Sequence, residues 1–478
     1  MNKYFSAYQL LLLFVFTSLL VHPTIAAIQV PFEIPDVGCP MAHADCNMSD
    51  NCFLPVPKYN VGIVWHNQKL ESERAGSLGL GFSGNGRIVA CTYQGIKDNL
   101  VIYDYEGDIL WSSGHLLDTF SFLSAPMVDI HDRIIACDDK KIVLVDPFDY
   151  DADGTILEWE SPLPYGGLVI SPVITKDGSL VLATKNGPIY AYNSSDGRLI
   201  SSKVLQTHDG NDPFLIRILT RLNGFYETIN TPCVQGNRVY VLAQFTTGGI
   251  LSLFKRFGSL IAVDISPDAS VDDERITIAW HYDFGGPSGG SPLLINDTIY
   301  FDSDRLTPSS GKNPQARAVI DKGDTYEVKW VKRIPNVVYG SFAKDPRESF
   351  WIIDNANAKL YRTSFESGEI LEQVDIDGLI NETGKHQPCS VITICENKTR
   401  PILIIAAKAI FSNHFSTYVI AIDLIDHNSL LWKVKVAEGA LYSLDFPFGQ
   451  FPVVVKENAS RIFFSTIRGG PWAIGEMV

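Results

Sequence analysis

What this chain lacks narrows its chemistry before any motif is read. No apolar run reaches the about 20 residues a bilayer span needs; the stretch Leu10–Val21 has 12. There is no Cys-Cys pair, no Cys-x-x-Cys-His haem attachment and no His-Glu-x-x-His zinc helix. Basic residues are scarce, 39 Lys and Arg against 54 Asp and Glu, for a net charge of -15. Such a surface repels phosphate backbones and argues against nucleic acid as a partner. Gly and Pro, 37 and 26 of 478 residues, are near ordinary usage, which excludes collagen-like and low-complexity chains. A hydrophobic share of 46% excludes intrinsic disorder.

What is present begins with a leader. Lys3 precedes the apolar stretch Leu10–Val21, and Thr24-Ile25-Ala26 puts small residues where a signal peptidase cuts. Residues 1–26 are therefore expected to be a signal peptide. The mature chain is expected to be secreted or extracellular (periplasmic in a bacterium), without a transmembrane segment. Cysteine usage agrees with an oxidising compartment. Cys39, Cys46 and Cys52 cluster after the leader, in a segment spanning 27–59, and Cys389 and Cys395 flank a short strand pattern. These five are disulfide candidates, with the pairing open, because the N-terminal trio lacks the Cys-x2-Cys spacing of a zinc site. Cys91, Cys137 and Cys233 lie inside apolar strand patterns. Asn47, Asn193, Asn296, Asn381, Asn397 and Asn458 stand in Asn-x-Ser/Thr sequons and are glycosylation candidates.

From residue 60 to 478 one pattern recurs. A Ser/Thr-x-Pro or Gly turn leads into an apolar strand. A second strand ends in Asp, a Gly turn follows, and a last strand ends in Trp. Arg87–Cys91, Leu100–Asp104, Gly107 and Ile109–Trp111 make one unit. Further units end at Trp159, Trp280, Trp330 and Trp432, and two others carry aliphatic residues in place of Trp. Spacings such as 48 residues from Trp111 to Trp159 and 50 from Trp280 to Trp330 suit a four-stranded propeller blade. Seven whole units leave two fragments: three strands from Phe451 to Gly475, and one at Asn60–Trp65. Joined, they complete an eighth. The expected fold is all-β: an eight-bladed β-propeller of four-stranded antiparallel blades, closed by pairing of an N-terminal strand with the C-terminal blade. A sheet apolar on both faces cannot bury itself alone, and a ring of sheets leaves no uncovered end. Nothing in the pattern calls for more than a monomeric propeller.

The repeat resembles the pyrroloquinoline-quinone (PQQ) repeat, whose core reads Ala-x-Asp-x-x-Thr-Gly-x-x-x-Trp. Ala262-Val263-Asp264 and Ala421-Ile422-Asp423 match its first half, and Asp104–Trp111 matches its second. The chain is thus similar to the quinoprotein alcohol dehydrogenase-like propellers, a family with both dehydrogenases and non-catalytic scaffolds. The resemblance implies the fold. It implies PQQ chemistry only where a vicinal Cys pair, a calcium held by Glu, Asn and Asp, and an Asp base are present. The first is missing, so no catalytic or cofactor-binding residue is assigned and PQQ is not expected.

Two other glycine motifs fail on context. Gly79–Gly84 matches Gly-x-Gly-x-x-Gly but is followed by Asn85-Gly86 and a strand, which reads as a blade turn and not a dinucleotide loop. Gly286-Pro287-Ser288-Gly289-Gly290 matches Gly-x-Ser-x-Gly only formally, since another strand follows instead of a helix. A spatial triad built across blades, or a His/Asp pair at the channel mouth, stays open. The one cofactor motif that fits in full is Asp149–Glu160, a Ca2+ loop pattern. Asp149, Asp151 and Asp153 alternate, Gly154 allows the turn, Thr155 offers a carbonyl and Glu160 takes the bidentate place. A solvated acidic hairpin is the competing reading.

Within the fourth unit, 205–229 reads as an insertion with a short helix capped by Asp212, and 245–258 as an apolar loop bearing Lys255-Arg256. The function expected from all this is a non-catalytic binding or scaffold propeller for a protein or glycan partner. The alternative is an extracellular enzyme, quinoprotein-type or other, with its site at the channel mouth.

Overall fold

The computed structural model describes residues 31–478 except 37, 67–79, 84–85, 88, 94–98, 151–153, 206–224, 229, 247–257, 285–288, 304–314, 335–340, 398, 411–414, 440–446, 448, 467–468 and 478. The leader, the Asp212 helix, Asp151, Asp153 and the Lys255-Arg256 loop lie outside the described residues.

Eight antiparallel sheets form the ring, each with strands lettered a to d from the axis outward. Blade 1 shows the plan: Leu80–Phe82, Val89–Thr92, Leu100–Tyr103 and Ile109–Ser112. The first three of these are fully buried, and the outer one is half in water. This is why the inner repeat strands read as apolar runs while strand d carries exposed and half-exposed residues. The expected blade turn at Gly79–Gly84 is corrected: Gly81 lies in strand a itself, where an added Cβ would sit 2.7 Å from the Pro126 carbonyl oxygen of blade 2. A small residue is needed for the two inner strands to approach.

The ring closes as the fragments require. Val61–His66 is strand d of blade 8 and pairs antiparallel with Gly469–Glu476, Ile63 opposite Ile474 and Trp65 opposite Ala473. Two blades carry extra strands. Phe225–Thr228, inside the expected insertion, pairs with Arg238–Thr246 of blade 4, and Lys385–Pro388 pairs with Arg400–Ile410 of blade 7.

The terminal Trp residues join blades. Trp65, Trp280, Trp330 and Trp432 each donate the indole N–H to the next blade or to the chain that leads into it, whereas Trp159 packs on Gly197 with its indole N–H unbonded among the described residues. Trp65 donates to the Tyr105 carbonyl at 3.2 Å, Trp280 to Asp321 Oδ1 at 2.9 Å, Trp330 to the Phe365 carbonyl at 3.1 Å and Trp432 to the Pro57 carbonyl at 2.8 Å. The Asp and Gly of the repeat build the c–d turn and the Trp of the preceding blade reads it. A buried indole with its N–H satisfied contributes about 2–3 kcal/mol.

The axis is not empty. Residues 39–54 run round it as a hub that touches all eight blades. The carbonyls of Cys39 and Pro40 accept from Phe82 of blade 1 and Val128 of blade 2. The Cys46 thiol donates to the Ile174 carbonyl of blade 3, and the Cys46, Asn47, Ser49 and Asp50 carbonyls accept from Val234, Leu294, Lys344 and Ile394 of blades 4 to 7. Cys52 meets Val453 of blade 8 through its sulfur, and Asn51–Cys52 pairs in parallel with Thr393–Asn397. Innermost strands of a ring have amides that no neighbouring strand can reach. The hub satisfies them, which an open channel would leave to water.

Candidate functional site

Strand direction divides the ring into two faces. The a–b and c–d turns lie on one face, called lower here. The b–c loops and blade-to-blade links lie on the other, the upper. The hub enters and leaves from below: Pro31 and Glu33 are held by Arg133 and Ile130 in the a–b turn of blade 2, and Leu54 by Glu396 in that of blade 7.

Toward the upper mouth the hub presents His43. Its Nε2 stands 3.0 Å from Ser291 Oγ and its Nδ1 2.9 Å from Asp50 Oδ1. Ser291 ends the link that enters strand a of blade 5, so hub and blade contribute to one constellation. All three residues are buried. Burial pushes the Asp50 carboxyl up, against the opposing pull of His43. Its Oδ2 and the Gln450 Oε1 are buried acceptors without a partner among the described residues. The order hydroxyl–imidazole–carboxylate has the polarity of an acyl-transfer triad. One element is missing: the Ser291 amide, a natural oxyanion donor, is bonded to Ser341 Oγ at 3.0 Å. Sequence reasoning did not assemble this set, because His43 and Ser291 are 248 residues apart and only ring closure brings them together.

A second upper-face group joins the link after blade 1 to the b–c loop of blade 2. Asp118, Asp138 and Asp139 bring carboxylate oxygens within 4.8 Å of one another. Lys140 Nζ bonds Asp118 Oδ2 at 2.8 Å, and Asp138 Oδ1 accepts from the Lys140 and Lys141 amides. Partial burial and the neighbouring Asp118 raise the Asp139 carboxyl to about 6. Leu163 and Gly167 bond the carbonyls of Lys140 and Asp139, which places exposed Tyr165 beside this group, and the amide of exposed Phe120 donates to Asp118 Oδ1 at 2.8 Å.

The calcium-loop residues fall on the lower face of blade 2. Asp149 Oδ1 accepts from the Gly154 amide at 2.9 Å, which holds the loop closed. Thr155 Oγ1 donates to Glu158, and Glu160 in strand d pairs with Lys141 at 2.9 Å. The described part of the loop is thus a hairpin turn whose expected twelfth ligand is engaged elsewhere.

The cysteines are all thiols in this structure. Cys39, Cys52, Cys91 and Cys395 share one apolar cluster, while Cys389 packs at its edge and Cys46 faces blade 3. Of the sequons, Asn296, Asn397 and Asn458 are exposed in a–b turns and Asn193 lies in a c–d turn, so these four share the lower face. Asn381 follows strand d of blade 6 on the upper face, and Asn47 is exposed in the hub.

No protein-family model and no curated protein matches the chain. Solved structures do. A europium-containing methanol dehydrogenase aligns with TM-score 0.52 at 11% identity over 90% of each chain. BamB from Moraxella catarrhalis aligns with TM-score 0.49 at 10% identity over 87% of this chain and all of that one. The first likeness shows the fold, the eight-bladed propeller of the PQQ-repeat proteins. Identity this low says nothing of activity. The residues here do not fit a quinone. No vicinal Cys pair exists, the axis is filled by residues 39–54, and the upper-mouth polar groups His43, Asp50 and Ser291 bind one another.

Proposed function

We propose that this chain is a secreted, monomeric binding propeller that engages a protein or glycan partner through its upper face. The observation that carries the reading is the sealed axis. With the hub bonded to every blade, the loop-bearing faces are the surface through which the ring can act. The sequons then separate the faces. Asn193, Asn296, Asn397 and Asn458 would clothe the lower face in glycan, while on the upper face only Asn381, after blade 6, would carry one, away from the links around blades 1 and 2. There Phe120 and Tyr165 offer exposed aromatic anchors of the kind enriched at interface centres, with Lys140 and its carboxylate partners as a polar rim.

The test is cross-linking mass spectrometry on the glycosylated protein in its native secretome. Cross-links to Lys140 and loss of capture in Tyr165→Ser or Phe120→Ser support the reading. A partner cross-linked through the lower-face turns overturns it.

A second reading rests on Ser291, His43 and Asp50, which match the geometry of a nucleophilic hydrolase at the channel mouth. A fluorophosphonate probe decides it. Covalent labelling of Ser291, lost in Ser291→Ala and His43→Ala, would establish a reactive serine. An unlabelled folded protein assigns the network to hub anchoring alone.

A further inference from the structure

The hub leaves the axis beside blade 7. There Asn51–Cys52 runs parallel to Thr393–Asn397, the innermost strand of that blade, with Asn51 opposite Ile394 and Cys52 opposite Cys395. Side chains alternate along a strand, and the packing shows which way these point. Ile394 and its antiparallel partner Leu403 belong to the apolar cluster on the blade 6 side, whereas Cys395 and its partner Ile402 belong to the cluster on the blade 8 side. Cys52 is a member of that second cluster, and its sulfur accepts from the Val453 amide of blade 8 at 3.3 Å. The two cysteines are thus paired in register and project to the same side of the sheet, both buried, at 1% and 0% exposure. Paired strands stand about 4.7–4.9 Å apart, inside the window of about 4.4–6.8 Å between Cα atoms that a disulfide bridges.

We infer that Cys52 and Cys395 form a disulfide that ties the exit of the hub to blade 7 and latches the ring a second time. The chain between them carries strand d of blade 8, blades 1 to 6 and the entry to blade 7. Closure at blade 8 is otherwise hydrogen-bonded, Val61–His66 on Gly469–Glu476. The disulfide bridges that seam covalently: were it to open, strand d could leave blade 7 by no more than the slack of residues 53–60. Cys39 and Cys91 share the cluster. Cys39 is held to blade 1 by its carbonyl on the Phe82 amide, and Cys91 stands in strand b of that blade opposite Leu80 and Val101. No strand register among the described residues sets either of them opposite a cysteine.

The oxidant is a small disulfide such as oxidised glutathione. A thiolate of one cysteine attacks it, forming a mixed disulfide and releasing one glutathione thiolate. The second cysteine, losing its proton, attacks the protein-side sulfur and releases the other. Two protein thiols are oxidised, one small disulfide is reduced to two thiols, and the two protons end on the departing glutathiones. Cys52 and Cys395 are both shut away from solvent once blade 8 is in place. Exchange needs access to the sulfur, so the bond should form as the ring closes and then resist reductant until the ring opens.

The pairing draws on the secretory reading for its oxidising surroundings, but the test supplies its own oxidant, so the two fail separately. Full-length mature protein is folded with reduced and oxidised glutathione, alkylated, digested without reduction and mapped by mass spectrometry. The expected product is a linked peptide pair joining Cys52 to Cys395, about 2 Da lighter than the two free peptides, with Cys39 alkylated. A Cys39–Cys52 link, or alkylation of all three, overturns the inference. A denaturing gel without reductant gives a second reading of the same bond. A link from 52 to 395 closes most of the chain into a loop, so the oxidised protein should run ahead of the reduced one. Cys52→Ala and Cys395→Ala should each abolish that difference, and Cys39→Ala should keep it; loss in Cys39→Ala overturns the pairing. Reducing the link should lower the melting temperature by about 5 °C, and an unchanged value overturns the latch. Should a variant fail to fold, the map of the unmodified sequence still decides.

Discussion

Trp65 of blade 8 lies flat on Gly107 of blade 1, so close that a Cβ at 107 would stand 2.6 Å from the indole. The contact spans the closure of the ring, and it explains why the repeat couples a turn glycine to a terminal Trp. The same relation recurs between Trp159 and Gly197 and between Trp330 and Gly368.

Gly107→Ala carries two penalties, a left-handed φ of +96° and a clash with Trp65. Gly323→Ala carries only the first, since its φ is +88° and nothing among the described residues lies within 4 Å of an added Cβ. The expected costs in urea unfolding are about 2–4 kcal/mol for the former and about 1 kcal/mol for the latter. Equal costs would remove the docking role assigned to the Trp.

The ring was legible in the sequence because its signal is local and repeated. Trp111, Trp159, Trp280 and Trp330 mark strand ends at near-constant spacing, and the fragment ending at Trp65 lacked only its partners. The hub was not legible. Residues 39–54 have no periodicity, and their carbonyls find amides scattered from Phe82 to Ile394 that no spacing announces. Cys39, Cys46 and Cys52 stood out as a cluster, yet their placement around an axis follows from topology. The Ser291–His43–Asp50 set was hidden for the same reason. The Gly79–Gly84 motif misled in the opposite sense: Gly81 serves close approach of inner strands and not a turn.

The hub should behave as core and not as a tail. Met48 is fully buried against blades 2 to 5. Met48→Ala is expected to cost about 2–5 kcal/mol. In native-state hydrogen exchange the amides of Leu294 and Ile394, which donate to Asn47 and Asp50, should open only with global unfolding. Fast exchange at both positions would show that the segment leaves the axis in solution.

Asp139 gives the molecule a pH signature. Its folded carboxyl is pushed up to about 6 from the ordinary aspartate value of 3.8 by burial and by Asp118. The folded state therefore holds more protons than the unfolded state between those values. Stability from this group is full below the lower value and is lost as pH rises through the upper one. Asp139→Asn should raise the melting temperature at pH 8 and flatten its fall between about pH 4 and 6. An unchanged profile would mean that Asp118 and Asp139 do not share a proton in solution.

Calcium at the Asp149 loop depends on one competition. Glu160 can act as the bidentate ligand only after leaving Lys141, which it meets at 2.9 Å. That pair is partly exposed and worth little, about 0.2–1 kcal/mol. A bound ion at about 100 times its dissociation constant stabilises by about 2.7 kcal/mol, so the ion prevails if Asp151 and Asp153 complete the shell. The melting temperature in millimolar calcium should then exceed that in EDTA. Lys141→Ala should enlarge the difference by freeing the carboxylate, and Glu160→Gln should abolish it. The upper-face Asp118 group serves as the internal control, because Asp118→Asn leaves the lower-face loop untouched. If the protein and its Lys141→Ala variant melt alike with and without calcium, the loop is a solvated acidic hairpin whose Gly154 turn and Trp159 serve the blade alone.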